Sequence, residues 1–282
     1  MKEMTFADIR DVARFVFDEN FPQMQQAARD EARRRVDVLM SELDAKMSAT
    51  LTPEQLGNFR RPEIQHALNA AVQAAALRDD DKLRHILADL LCQRVKEESD
   101  FDAIVHTEAI LTVGKLTPDL LNILALTVLV TRSRPKPVDT WNDIKNLFTI
   151  AFAPLLTFKG SASEVAHLAY CGCANVGLMG AVDGNFVPHF RKKFPILFGI
   201  TSNESKAFDV EYKASIEKSK RLLLSHAPEY AGAIAKWDSP YLPMLNLTSV
   251  GHLLGKTHLE TMAGISSTPD FEPYFWTGEN LP

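Results

Sequence analysis

The sequence predicts an all-α fold: an irregular multi-helix bundle with antiparallel helices and at most one short β-hairpin. The 13 glycines and 15 prolines are only about a tenth of the 282 residues, slightly below the usual ~12%, which favours helices over many short strands. Capping residues precede apolar stripes at helical spacing, and turn residues follow them. Hydrophobic residues make up 46% and charged residues 24%, which excludes a disordered protein.

The first two helices are predicted from their start signals. Thr5 and Asp8 form a capping pair for a helix over 5–19, because each side chain can accept from the other's backbone N–H. Pro22 suits the first position of a second helix, which we expect to run to about Ala49. Its apolar residues recur eleven apart, close to three turns, and therefore stay on one side of a straight helix. They are Ala28, Ala32, Val36, Leu39, Leu43 and Met47.

Helices with short connectors are predicted between residues 62 and 132. Pro62 starts an alanine-rich helix, and the polar run 78–81 links it to a leucine-rich one. Ser99 starts the next helix, and Gly114 is predicted to be its C′ glycine. The apolar residues of that helix are Phe101, Ile104 and Val105. Connectors this short favour antiparallel neighbours.

The helix signals of the C-terminal half are less regularly spaced. Pro135 and Pro137 break the chain, because two prolines so close cannot continue a helix. Ser161 with Glu164 is a capping box, and it begins a helix that carries a histidine and a cysteine. Asp183-Gly184 is a two-residue turn signal, which predicts the one short hairpin near 178–187.

Two more helices and a tail complete the chain. Asn203 starts a long charged helix to about Ser225, and Thr248 caps a last helix ending at Gly264. The tail over 265–282 is rich in aromatic residues and proline. We therefore expect three parts: a helical domain over 1–160, a smaller mainly helical part over 161–264 packed on it, and the tail docked on the body.

The net charge, the length of the apolar stretches and the cysteine count narrow the possible function classes. The net charge is −5, and this mild acidity argues against a dedicated nucleic-acid coat. The apolar stretches 120–130 and 147–158 are shorter than the ~20 residues that span a bilayer. Three cysteines are no disulfide framework, and the first eight residues lack the apolar core of a signal peptide. We expect a cytoplasmic protein with no membrane contact.

The pattern His167-x3-Cys171-x-Cys173 is the one in this sequence that most resembles a metal-binding or catalytic site. A metal site would take His189 as a fourth ligand, but structural zinc usually uses a C-x-x-C knuckle. A catalytic thiol would pair Cys171 with His167, yet no third member is visible. The favoured interpretation is small buried thiols that pack beside Tyr170. We expect no metal, no cofactor and no catalytic residue.

Four other patterns receive structural interpretations. The glycine cluster 177–184 matches no phosphate-binding loop and is expected to be a turn. The spacing Gly251-x3-Gly255 predicts one close helix crossing. The acidic run 79–81 lacks the spacing of a calcium loop and is expected to cap a helix. The basic stretch 191–221 is expected to be ordinary surface, with nucleic-acid binding as the less favoured alternative.

Three histidines lie on consecutive predicted helices: His66, His85 and His106. They could converge on one site, but the favoured interpretation is that each is exposed or partly buried by itself. The carboxylates are scattered, and no pair has a spacing that argues for general acid–base chemistry.

Several short segments spread over most of the chain share one pattern. They are 61–68, the alanine-rich helix after it, 79–81, 86–91, 114–117, 167–173 and 247–251. With them the chain resembles an uncharacterised bacterial protein family of helical proteins. That resemblance implies no activity, so no catalytic residue is carried over, and it implies company with mobile or defence genes.

These observations favour a non-catalytic helical protein that acts through protein–protein contacts, as a regulatory or scaffold component of, for example, a bacterial defence system. The alternative is an enzyme or a ligand- or metal-binding protein with a pocket near His167, Cys171 and Cys173. A third class is nucleic-acid binding through 191–221.

Self-association is expected through residues 5–49. A helix about 40 Å long would overhang a domain of this size, and an overhanging apolar stripe marks an interface. We expect a homodimer, the commonest homo-oligomer, if the partner is not another protein. The expected interface residues are Phe15, Val36, Leu39 and Leu43; in the alternative, the stripe packs wholly inside one chain.

Overall fold

The computed structural model describes residues 5–21, 25–96, 99–135, 139–177, 184–199, 210–263 and 271–273. It confirms the all-α fold class. The chain divides into two compact units, unit 1 over Met1–Leu116 and unit 2 over Thr117–Pro282. The division at residue 160 that the sequence suggests stays a prediction.

Unit 1 is built from six α-helices in the described residues. They are α1 Phe6–Asn20, α2 Gln26–Thr50, α3 Pro53–Gly57, α4 Pro62–Leu77, α5 Asp81–Lys96 and α6 Asp100–Val113. The Thr5–Asp8 capping box starts α1 as predicted. Helix α2 packs against α4 and α5, and α6 packs against the same two helices. Residue 22, the predicted start of the second helix, lies outside the described residues.

The apolar stripe of α2 forms the core of unit 1. Val36, Leu39 and Leu43 are at most 3% exposed, because the stripe lies against α4 and α5. The expectation that these three residues form an interface between copies is therefore wrong: their partners are helices of the same unit, which the sequence could not show. Phe15 is 66% exposed on α1, and its contact with a second copy stays a prediction.

Unit 2 is built around α7. Its helices are α7 Pro118–Thr131, α8 Trp141–Leu147, α9 Ala162–Tyr170, α10 Phe186–Lys193, α11 Val210–His226, α12 Tyr230–Trp237 and α13 Ser249–Ala263. Every residue of α7 from Leu120 to Val130 is buried, the property of a helix at the centre of a core. Helix α13 lies along α7.

The crossing of α7 and α13 is close because of Gly255. A Cβ at this position would lie 2.6 Å from the carbonyl oxygen of Leu124 on α7. One turn earlier, a Cβ on Gly251 would overlap the carbonyl oxygen of Cys173. The structure thus confirms the close helix crossing predicted from the Gly-x3-Gly spacing.

An aromatic cluster fills the other side of unit 2. The rings of Phe152, Phe186 and Phe190 lie with centroids 5.1 to 6.0 Å from the ring of Tyr230. The Tyr230 hydroxyl donates to the carbonyl oxygen of Ile144 at 2.9 Å. Burial raises the pKa of this phenol, so it remains a hydrogen-bond donor at any ordinary pH.

The strands lie elsewhere than the sequence predicted. In the described residues there are two antiparallel pairs, β1 Ser133–Pro135 with β4 Phe271–Pro273, and β2 Ala174–Val176 with β3 Leu245–Leu247. Of the hairpin expected near 178–187, residues 178–183 lie outside the described residues. The strand expected over 185–187 is wrong, because Phe186 and Phe190 lie one turn apart on the buried face of α10.

The remaining expectations concern the C-terminal tail, the charged helix and Gly114. Strand β4 belongs to the tail expected to dock, and it pairs with β1. The rest of the tail, 274–282, and the start of the charged helix at 203 lie outside the described residues. Gly114 has an ordinary φ of −62°, so it is no left-handed C′ glycine. A Cβ there would lie 3.0 Å from the Cβ of Ala74 on α4, so glycine lets the end of α6 lie close to α4 without displacing this side chain.

The glycine crossing of unit 2 predicts a large loss of stability on substitution. We expect Gly255→Ala and Gly251→Ala each to lower the free energy of unfolding by 1–3 kcal/mol or more, roughly the range for overpacked cores. Urea denaturation of the purified chain measures this. The matched control is Gly232→Ala on α12, where a Cβ would meet nothing within 4 Å. That change should stabilise by about 0.5–1 kcal/mol; equal effects at all three positions would contradict the prediction.

Candidate functional site

The His167–Cys173 segment is the C-terminus of α9. The amide of Cys173 donates to Leu168 O at 2.9 Å and that of Gly172 donates to Ala169 O at 3.0 Å, the two bonds of a Schellman motif. Gly172 has a φ of +72°, which side-chain-bearing residues rarely adopt. Helix termination therefore explains the spacing of this segment.

Thr248 locks this helix end to α13. Its amide donates to Cys173 O at 3.0 Å and its hydroxyl donates to Gly172 O at 2.7 Å. The same hydroxyl oxygen accepts from the amide of Gly251 at 3.2 Å, which caps α13. One threonine thus fixes the C-terminus of α9 against the N-terminus of α13.

Of the four candidate metal ligands, the structure brings two together. The Sγ of half-buried Cys171 lies 3.4 Å from Nε2 of exposed His167. Cys173 is fully buried, and the His189 ring on α10 meets the ring of Trp237 edge-on at 6.2 Å. Throughout the part of the chain that the structure describes, no three His, Cys, Asp or Glu side chains form a group that could hold a metal ion.

The three histidines of unit 1 have different surroundings. His66 on α4 is exposed. Nδ1 of His85 lies 3.3 Å from Oε2 of Glu42 on α2. Buried His106 lies with Nε2 3.1 Å from the side-chain oxygen of Gln93 on α5. The structure thus supports the favoured interpretation of separate histidines.

The start of the basic stretch 191–221 points inward. Arg191 and Lys193 are buried, whereas Lys192 between them is exposed. The Lys193 ammonium donates to the carbonyl oxygens of Leu129 and Ser133. It thereby satisfies carbonyl groups at the C-terminal end of α7. Burial lowers the pKa of the Lys193 ammonium to about 7. The stretch is therefore no continuous cationic face, since part of it serves the core.

The acidic run between α4 and α5 has the capping role that was expected. Asp80 accepts from the amide of Leu83 at 3.1 Å. Asp79 and Asp81 both pair with the guanidinium of Arg84, which is buried. These carboxylates therefore stabilise the start of α5.

The surface that the sequence analysis missed is the outer face of α6, which comprises Phe101, Ile104, Val105, Glu108 and Leu111. Phe101 is 65% exposed and Ile104 is 61% exposed, one helical turn apart. The opposite side of the helix carries the buried residues His106, Ala109, Ile110 and Val113. The signal was present in the sequence, because apolar residues of α6 lie on opposite sides of the helix, whereas a surface helix is apolar along only one stripe.

The other large exposed apolar side chains are scattered over different elements. They include Leu77 at the end of α4, Tyr170 at the end of α9 and Ile196 after α10. Single exposed apolar residues are normal on protein surfaces. The outer face of α6 differs because its exposed side chains are neighbours on one regular helix.

The charged side chains of α6 itself are all acidic. Helix α6 carries three carboxylates, Asp100, Asp102 and Glu108, and no lysine or arginine. All three carboxylates are exposed. The outer face of α6 is thus an apolar strip bordered and interrupted by negative charge.

Comparison with known proteins identifies relatives but no activity. A family model matches residues 4–213, and that family is uncharacterised, in agreement with the resemblance seen in the sequence. No curated protein and no solved structure matches the chain. Across the described residues, no helix combines the length and the apolar character that crossing a bilayer requires.

Lys193 predicts a pH dependence of stability. Its pKa of about 7 in the folded chain lies below the ~10.4 of an unfolded lysine. The unfolded state therefore binds more protons between these values, so the free energy of unfolding rises with pH above about 7. We expect Lys193→Met to remove this rise between pH 7 and pH 9.

Tryptophan fluorescence during urea denaturation measures the effect, because all three tryptophans lie in unit 2. Lys192→Met, a neighbouring exposed lysine, is the control and should keep the rise. An unchanged pH dependence in Lys193→Met would show that the buried amine does not titrate in this range.

Cysteine exposure predicts thiol reactivity. Cys171 is half-buried, whereas Cys92 and Cys173 are buried, and burial raises the pKa of Cys92 to about 11. We expect one thiol of the folded chain to react rapidly with Ellman's reagent, and three after denaturation. Cys171→Ser should abolish the rapid reaction; its persistence would mean that another thiol is accessible.

Proposed function

We propose that this chain, which belongs to the uncharacterised family matched above, is a non-catalytic cytoplasmic helical protein that acts through protein–protein contacts, as a regulatory or scaffold component. One observation carries the proposal: the outer face of α6 presents Phe101 and Ile104 to solvent on adjacent turns. Covering apolar surface contributes about 25 cal/mol per Å², and contiguous exposed apolar patches mark interaction sites.

The exposed face belongs to a firmly held helix. The hydroxyl oxygen of Ser99 caps the N-terminus of α6 by accepting a hydrogen bond from the backbone N–H of Asp102. Nε of Arg94 on α5 donates to Oγ1 of Thr107 at 2.9 Å, and His106 lies against Gln93. Such fixed geometry favours an interaction surface, because little conformational freedom is lost when a partner binds.

The other function classes have weaker physical support. The segment Cys171–Cys173 forms the C-terminal motif of α9, so helix termination accounts for the spacing of these two thiols. Lys193 donates to carbonyl oxygens inside unit 2 and Arg191 is buried, so neither side chain is placed to face phosphates. The three cysteines form no disulfide in the described residues, which suits the reducing cytoplasm.

Because Phe101 and Ile104 are exposed, we predict that they can be replaced without lowering the folding stability of the chain. We expect Phe101→Ser with Ile104→Ser to change the free energy of unfolding by less than about 0.5 kcal/mol, as for other exposed positions. The matched control is Ile110→Ser on the buried side of the same helix, which should destabilise by several kcal/mol. Urea denaturation compares the two variants.

The contact itself is tested by a photo-crosslinking amino acid at position 101, in cells that naturally make the protein. We expect a discrete adduct with another protein that disappears on Ile104→Glu. The control places the same amino acid at the exposed position Leu77. An identical adduct pattern at both positions, or none at 101, would overturn the proposed function.

A further inference from the structure

The outer face of α6 has the spacing of a helix–helix seam. Phe101, Ile104, Glu108 and Leu111 follow one another at intervals of three, four and three residues, the a and d positions of two heptads. His106 and Val113 then fall at the f positions, opposite the seam, and both are buried. The exposed strip is therefore shaped for a second helix that lies along α6.

A carboxylate lies in the middle of this seam. Glu108 occupies an a position between Ile104 and Leu111, and it is exposed. A partner that covered Glu108 without a cation would bury an uncompensated charge, which is strongly unfavourable. A charged residue at one a position also fixes register and partner choice in paired helices.

The surrounding charge restricts the partner further. Helix α6 carries three exposed carboxylates and no lysine or arginine, so a second copy docking through the same face would bring acid against acid. Nucleic acid and anionic lipid would be repelled for the same reason. The complementary surface is apolar and positively charged.

We infer that the occupant of the outer face of α6 is an amphipathic helix of another protein, with lysine or arginine beside its apolar stripe and one such residue opposite Glu108. This inference rests on the proposed function and names the chemistry of the partner. The apolar residues supply the contact area, and the Glu108–cation pair sets the register.

Two synthetic helices test the inference against the full chain. Both are 21-residue peptides with leucine and isoleucine at a and d; one carries lysine at e, g and a single a position, and the other carries glutamate there. Fluorescence anisotropy of the labelled peptides at about 150 mM salt gives the dissociation constants. We expect the lysine peptide to bind at least ten times more tightly than the glutamate peptide.

Variants separate the two contributions. Phe101→Ser with Ile104→Ser should weaken binding of the lysine peptide at least tenfold, and Glu108→Lys should reverse the preference between the peptides. The controls are Leu77→Ser on α4 and Asp37→Asn on α2, an exposed apolar residue and an exposed acid elsewhere in unit 1. Each should change binding less than twofold.

The outcomes distinguish this inference from the function on which it rests. Equal binding of both peptides, or lysine-peptide binding that survives loss of Phe101 and Ile104, overturns the cationic helix. If neither peptide binds while position 101 still crosslinks to a protein, the proposed function is retained and the inference of a cationic helix is rejected. A dimer detected by light scattering and lost on Ile104→Glu would identify a second copy as the occupant and overturn the inference.

Discussion

The close approach of α13 to α7 is the constraint on which unit 2 depends. At Gly255 the two helices come near enough that a single methyl group would press on the Leu124 carbonyl. At Gly251 the same helix meets the backbone of Cys173, so the end of α9 and strand β2 are positioned by that contact too. Thr248 then joins all three segments through its hydroxyl and amide. Two glycines without side chains thus set the geometry of three segments that are far apart in sequence: α7, the α9–β2 segment and α13.

This tight packing requires that polar groups inside it be satisfied. On α13 the buried His258 ring donates from Nε2 to the Asn122 side-chain oxygen on α7 at 2.7 Å, and Asn122 donates to Thr157 at 2.8 Å. Lys193 supplies donors to the carbonyls at the end of α7. In unit 1, Arg78 does the same for Gly114 and Leu116 after α6. Cationic side chains, buried Lys193 and half-buried Arg78, therefore bind the carbonyls at helix ends in both units.

The sequence could predict what depends on local chemistry. The capping boxes at Thr5 and Ser161, the apolar stripe of α2 and the Gly-x3-Gly crossing are each determined by neighbouring residues, and the structure has them. The partner of a stripe depends on distant residues, so Leu39 was expected at an interface although it is buried against α4 and α5. Strand pairs joined across about 70 residues, such as β2 with β3, leave no local signal either. For the candidate surface, the sequence showed that α6 is apolar but not which side the unit buries.

The way unit 1 buries α6 decides what its outer face can do. The buried side of α6 is centred on the f positions, so Phe101, Ile104 and Glu108 at a and d positions are exposed and Leu111 is half-buried. At both ends the helix is fixed, by the Ser99 cap and by the Arg78 contacts to the carbonyls that follow it. In the proposed interaction, a partner would therefore meet a helix that is already formed and oriented, and the free energy of its apolar contacts would not be spent on ordering α6. Glu108 would add selectivity to this interaction, because it would penalise every apolar helix that brings no cation and so separate a specific partner from general hydrophobic association.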